Sequence, residues 1–504
     1  MSDTAIFPGA GRTSSTHLAR TVAIALVGAA LYAALLARSV ALTPGAFGVD
    51  IYDQMWLAFT QGQLDLPARV LRMEGHYTPD GTAYSYHGVA PLITRALFDP
   101  FVTMGTLTLA PISLWIWATL GTAFYHAALL TALGPEAGTA RLRVTLALTL
   151  WFVGPGVILT ANHAFYHEPI ALAYAATGAF VLLWARAVRA GRLSTPTLVG
   201  MAALAALTVH ARPHIAVGLY ACTGLALLWA VYRDRLRALP AVLAAGLLLG
   251  AGGASYLALN EARFGSATAV HGSFDASDIQ YGIAFWELEE PGNVRQQGFT
   301  EHGRFNLGRV LPNAAFYLAA PPQFLLPGLS DRAADLHGAV TGPRVGFIRI
   351  EAPRTGMVFI WAPWVLLAVA GLAALRTAGR PYAGLLLGLG GSALLLLSYA
   401  TITLRYLVDL WPIFAALALV ACARAAQQPP HRQTMRLGGL AMLCGLAVTA
   451  NVVLVYPKLL RTYDTTGFAE WSAQECRERA IDRGLPQERL SYICRDPLIE
   501  RTGG

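Results

Sequence analysis

Charge is the scarcest commodity in this 504-residue sequence: Asp, Glu, Lys and Arg together make up 13% of it, against roughly 25% in an ordinary soluble domain. That shortage excludes a water-soluble globular fold for most of the chain. Lysine is nearly absent, since Lys458 is the one lysine among 37 basic residues, and the formal net charge of +8 is therefore carried by arginine. These arginines fall largely in short loops between apolar runs, so no nucleic-acid partner is needed to explain them. Of five cysteines, Cys222, Cys422 and Cys444 lie within apolar runs, where they read as small packing residues. Cys476 and Cys494 lie in a polar tail, where a disulfide and two free thiols are both open. There is no metal-type Cys/His spacing, nucleotide-binding loop, internal repeat, heptad pattern or low-complexity linker.

What is present is length of apolar run. The mean hydropathy is +0.49, and segments near 21–42, 107–133, 144–161, 170–187, 196–211, 215–232, 239–259, 357–375, 382–401, 404–423 and 437–456 approach or reach the length that crosses a hydrocarbon core of about 30 Å. Lipid offers backbone groups no partners, so every crossing must be helical. The expected fold is all-α: a polytopic transmembrane helix bundle of about eleven spans, covering 1–456. Two long loops at about 45–106 and 260–356, together with a tail over 457–504, are expected on one face. Arg12, Arg20, the "RLR" at 141–143, Arg186, Arg189, Arg192, the "RDRLR" at 233–237, Arg376, Arg380, Arg424, Arg432 and Arg436 then share the opposite face. The positive-inside rule makes that face cytoplasmic and the loop face external. The first run is too long for a signal-peptide core and reads as a retained anchor.

Candidate functional residues bunch on the loop face. Asp50 and Asp53 follow the first span; either suits a general base at the membrane boundary, and equally Asp50 suits a helix N-cap with Asp53 at its third position. Tyr86 and His87, in "YSYHG", read as substrate contacts or as an interfacial aromatic belt. His163, His167 and Glu168 in "NHAFYHEP" cluster at a span end; a divalent cation is compatible with them, though the order is not that of a known zinc motif. Arg212 in "HARP" and Arg405 in "LRY", beside Tyr406, are cations in short loops on the face that should be poor in them. A phosphate would account for both, with Arg263 of "NEARFG" as a third contributor, and lipid headgroups would also suit. In the second loop, Phe305, Leu307, Val310, Leu311, Phe316 and Tyr317 recur at near-helical spacing, which suits an interfacial helix started or kinked by Pro312.

In order along the chain, Asp50 after the first span, the Gly62-x-Leu-Asp-Leu element, "YSYHGVAPLITR", "FYHEP", "LTVHARP", "NEARFGS" and "LRYLVDLWP" resemble the loop-face motifs of the GT-C membrane glycosyltransferases. The resemblance runs to about residue 420 and is of the protein O-mannosyltransferase and aminoarabinose transferase type, branches that carry a second acidic residue where Glu168 lies. It implies a polyprenyl-phosphate-linked sugar donor, an acceptor hydroxyl on a glycan, lipid or protein, and inverting transfer on the outer face of a bacterial inner membrane. It further implies Asp50 as the base, Glu168 as a second acidic residue, and Arg212 and Arg405 as holders of donor phosphate. An Asp-Glu pair found in several branches is here Asp50-Ile51. The readings that compete with it are a transporter or flippase for a lipid-linked saccharide and a non-catalytic membrane subunit. The first predicts charged or broken-helix sites at the bilayer midplane, where this sequence is mostly clean apart from His126. The second predicts that neither Asp50 nor Asp53 borders a cavity.

Overall fold

The computed structural model describes residues 15–43, 48–105, 107–134, 140–269, 272–428, 431–463 and 471–499. Arg12 and the Pro429–Pro430 pair lie outside them. Among the described residues, eight helical segments are long and apolar enough to cross a membrane: Ala19–Leu42, Ala110–Leu133, Arg141–Thr160, His167–Ala190, Pro213–Phe264, Leu375–Leu397, Tyr406–Gln427 and Arg432–Leu459. The fifth is broken by a tight turn at Arg235–Ala238 into helices Pro213–Asp234 and Leu239–Phe264. Thr195–Val209 and Ala362–Ala373 are apolar but shorter than a full crossing. A helix lies on each expected segment, and the chain is a membrane-embedded helical bundle.

The helix ends follow local chemistry. Pro213 opens its helix at the first position, and Pro155 opens Pro155–Thr160 after a break at Gly154 within the Arg141–Thr160 segment, in both cases where a missing N–H costs nothing. Gly265, at φ +61°, ends Leu239–Phe264 in the left-handed conformation and turns the chain out of the bundle. Inside, Trp411 meets Trp361 and Trp364 edge-on, with ring centroids 5.3 and 4.8 Å away. All three rings are buried, and edge-to-face packing of this kind adds to their burial.

The loop face carries a cap with a second core, which includes Tyr52, Tyr77, Phe285, Trp286, Trp471, Cys476 and Cys494. Its residues come from the first loop, the second loop and the tail, so the described tail is built into the cap. Gln54 ties it down by donating to the Ile499 carbonyl at 2.8 Å and accepting from Leu498 N–H at 2.7 Å. Two small sheets depart from the all-α expectation. β1 (Gly75–Tyr77), β2 (Ala83–Ser85) and β3 (Gln280–Tyr281) form an antiparallel sheet in the order β2-β1-β3, while β4 (Arg349–Ile350) and β5 (Thr401–Ile402) pair in parallel. Strands of two or three residues are too short to show a period of two in sequence.

In the second loop, Leu307–Arg309 forms one tight turn that leads into helix Val310–Ala319, with Pro312 in its first turn. Phe316 and Tyr317 are buried while Leu311 and Leu318 are exposed, as is Leu307 in the turn before them, which gives the helix an outward apolar face. Irregular chain over 320–326 then enters helix Pro327–Val345, which the sequence pattern does not announce.

Cys476 and Cys494 are bridged across a separation of 18 residues. Replacing both by alanine should cost about 3 kcal/mol, the loop-closure entropy of a bridge of that span. Denaturant midpoints of the solubilised protein check this, and free thiols at both positions in non-reducing mass spectrometry would refute the bridge.

Candidate functional site

Asp53, Arg95 and Glu168 form an ion triad with all three side chains almost wholly removed from solvent. Asp53 sits in the first turn of helix Ile51–Thr60, Arg95 in helix Leu92–Phe98 and Glu168 at the start of His167–Ala190. Arg95 Nε donates to Asp53 Oδ1 at 2.8 Å, its Nη2 to Glu168 Oε1 at 3.1 Å, and its Nη1 pairs with Glu168 Oε2. Leu109 N–H adds a contact to Asp53 Oδ2 at 3.4 Å. Burial pushes the Asp53 carboxyl above its usual range and Arg95 opposes it. Asp50 occupies the N-cap position of Ile51–Thr60 without a side-chain capping bond and is buried.

A polar cavity of about 90 Å³ has a lining that includes Glu74, Tyr86, Tyr166, Glu351, Arg405 and Tyr406. Arg405 Nη1 donates to Glu351 Oε2 at 2.9 Å, and Arg349 Nε lies 3.3 Å from Glu351 Oε1. Burial would raise the Glu351 carboxyl, but Arg405 and Arg349 outweigh it and hold it below its usual range. Two guanidiniums therefore share one carboxylate, and with Arg295 the lining sets three arginines against Glu351 and Glu74, a surplus of one positive charge. The Arg405 guanidinium also lies over the rings of Tyr166 and Tyr406, 4.7 and 5.4 Å from their centroids, which fixes its plane. Glu74 presents a different chemistry. Tyr281 and Tyr86 donate from their hydroxyls to its two oxygens at 3.4 Å each, and burial raises its pKa against the effects of Tyr166, Arg349 and Arg405.

A second cavity of about 360 Å³ adjoins the first, with Tyr86, Tyr399 and Tyr406 in both linings. Its walls are largely apolar, with Val217 from Pro213–Asp234, Leu259 from Leu239–Phe264 and Leu395 from helix Ala383–Leu397. Arg212, Arg263 and Arg304 stand along it. Arg212 pairs with Asp409 and lies over the Tyr406 ring at 5.2 Å. Arg263 donates to the carbonyls of Ser85 and His87 at 2.8 and 3.4 Å, bracing the segment that carries Tyr86 and His87.

The structure thus gathers Arg405, Tyr406, Tyr86 and His167 at the polar cavity, and Arg212, Arg263, His87, Tyr86 and Tyr406 at the apolar one. Asp50, Asp53 and Glu168 line neither, which corrects the expectation that the first-loop carboxylates share a hollow with Arg212 and Arg405 and is the placement that the reading as a non-catalytic membrane subunit expects of Asp50 and Asp53. For Asp53 and Glu168 the physical reason is Arg95, which holds both in the buried triad while the neighbouring His167 and Pro169 line the cavities. His163, His167 and Glu168 do not converge on one point either. His163 Nδ1 bonds the Ser39 hydroxyl at 2.9 Å, and burial pushes its pKa down to about 4. His167 bonds the Leu159 carbonyl and the Tyr456 hydroxyl, each at 3.1 Å.

Sequence reasoning misses Glu74, Glu351 and Arg349. Their one signal is charge inside otherwise apolar-aromatic runs, "RMEGHY" and "FIRIEAP". No family model, curated protein or solved structure matches this chain.

Proposed function

We propose that this chain is a membrane glycosyltransferase that moves a sugar from a polyprenyl-phosphate donor to an acceptor hydroxyl. The observation that carries the proposal is the pair of adjoining cavities at the loop face: a polar chamber with excess positive charge beside an apolar channel between membrane helices. An amphiphile with an isoprenoid tail, a phosphate and a sugar matches that sequence of environments. The tail takes the apolar walls, the phosphate the shared boundary at Tyr406, between Arg405 and Arg212, and the sugar the tyrosine-lined chamber. Phosphate is already a competent leaving group, so the protein has to position the partners and neutralise charge as it develops on the departing oxygen. A single displacement inverts the anomeric centre. A bacterial inner membrane with the loop face outside is the setting we assign; the Cys476–Cys494 bridge supports it, because such bridges persist in oxidising compartments, and so does the arginine bias of the short opposite loops.

Purified protein incubated with radiolabelled polyprenyl-phosphate sugars and candidate glycan, lipid or protein acceptors should transfer label; failure with every donor would sink the proposal. Arg405→Ala should weaken donor binding by at least tenfold while the protein still assembles, as checked by equilibrium binding of the labelled donor, and unchanged affinity would remove Arg405 from the phosphate site. One observation favours a second reading, lipid binding or transport without chemistry: Asp53, Glu168, Glu351 and Asp409 are each paired with arginine. Saturable donor binding with no turnover would select it.

A further inference from the structure

Glu74 is the carboxyl at this site that accepts from tyrosine hydroxyls, and the way the chain holds it is unusual. It ends a tight turn, Arg72–Glu74, that runs straight into β1. Arg72 adopts φ +47°, a left-handed conformation that a long side chain rarely takes, and such strain persists only where the surroundings over-determine it. Here they do. The Tyr77 hydroxyl donates to the Arg72 carbonyl at 2.7 Å. The backbone of Gly282, just after β3, presses so closely on the turn that a methyl group there would lie 2.6 Å from Arg72 O and 2.7 Å from Met73 O. The turn is clamped from both sides, and its product is a carboxyl in the wall of the polar cavity that Arg405, Glu351 and Arg349 also line.

Resting on the transferase reading, we infer that Glu74 is the catalytic residue that takes the proton from the acceptor hydroxyl. In the step, the acceptor oxygen forms a bond to the anomeric carbon as the bond from that carbon to the phosphate oxygen breaks. The electron pair of the broken bond leaves with polyprenyl phosphate, which gains one negative charge beside Arg405. The hydroxyl proton passes to a Glu74 oxygen and later to water. The charged and titratable groups that act on Glu74 or share its cavity are Tyr86, Tyr166 and Tyr281, Arg295, Arg349 and Arg405, Glu351, and farther along the lining His167, Tyr399, Tyr406 and Tyr456. The tyrosines stabilise the carboxylate before transfer, and burial favours the acid after it. A group balanced in this way suits proton transfer, and positioned bases contribute about 10²–10⁴-fold in rate.

The test compares wild type, Glu74→Gln, Asp50→Asn and Tyr281→Phe for kcat against pH, donor affinity and melting temperature, with the labelled donor and acceptor that the wild type uses. The ionised carboxylate is the active form, so wild-type kcat should fall as pH drops through the raised Glu74 pKa. Glu74→Gln should lower kcat at least 100-fold and abolish that acid limb while donor affinity stays within twofold. Tyr281→Phe removes a donor that favours the carboxylate, so its acid limb should move to higher pH; this holds the inference to account even if Glu74→Gln fails to fold. Asp50→Asn should keep the limb where it is. A Glu74→Gln enzyme within threefold of wild type, or a limb unmoved by Tyr281→Phe and lost in Asp50→Asn, overturns the role of Glu74 and leaves the transferase reading standing. A wild type that transfers nothing overturns both.

Discussion

Arg95→Met should be the most damaging single substitution in the cap, destabilising the protein by about 3–5 kcal/mol, the range seen when one member of a buried ion network is removed. The reason is what it leaves behind. Asp53 and Glu168 are 3% and 0% exposed in their side chains, and both rely on the one guanidinium. Without it, two carboxylates face each other in a dry site and must either take up protons or drag water in. The damage would spread to the cavities, because Glu168 anchors the wall that presents His167 and Pro169 to them. Replacing the whole triad, as Arg95→Met with Asp53→Asn and Glu168→Gln, removes the orphaned charges together and should recover most of the loss, since buried ion networks are often matched by neutral packing. Thermal melts monitored by size-exclusion chromatography measure both. If the triple variant melts like Arg95→Met alone, charge compensation is not what the triad provides. If it melts like wild type yet transfers nothing, Asp53 or Glu168 takes part in chemistry and the positioning role assigned here is wrong.

That triad also shows where the sequence stops being readable. The spans are legible because each needs some twenty apolar residues in a row, a signal no local accident mimics. Arg212 and Arg405 stand out by the same logic, as cations on the face that the topological bias leaves poor in them, and both reach the cavities. Asp53 and Glu168 are visible as carboxylates at a boundary, but nothing in their spacing reveals that Arg95, 42 and 73 residues away, will claim them both. Glu74 is harder still. Its surroundings come from Tyr86 in its own loop and from Tyr166, Tyr281, Arg349 and Arg405, so its environment exists only after distant segments have met. The conserved logic of a helix pattern does not extend to such a site, because a cavity belongs to tertiary structure alone. The two miniature sheets are hidden because their strands have only two or three residues: β1 and β2 form a local hairpin across 78–82, whereas β3 joins β1, and β5 joins β4, from distant segments.

The same contrast between local and tertiary information lets one chemical change act with opposite signs on a single helix. Ala383–Leu397 packs against Pro213–Asp234, and the two backbones touch at a pair of glycines. A methyl group at Gly388 would lie 2.3 Å from Cys222 Sγ and 2.5 Å from Gly218 O, and one at Gly218 would lie 2.1 Å from Ser392 Oγ and 2.6 Å from Gly388 O. Close approach through small residues is how helices associate where lipid removes the hydrophobic drive. Gly388→Ala therefore forces the helices apart, with an expected cost of about 1–3 kcal/mol for overpacking against backbone. It also displaces Val217 from Leu395 and Leu396 across the apolar cavity, so donor affinity should fall together with the melting temperature. At Gly390 and Gly391, two and three positions along, a methyl group meets nothing within 4 Å. Alanine there should stabilise by about 0.5–1 kcal/mol through helix propensity alone, and leave donor binding unchanged. Melting and binding measured on the three variants settle it: a Gly388→Ala protein that melts with Gly391→Ala would mean that the helices are not in backbone contact, and that the channel wall they form is not set by these glycines.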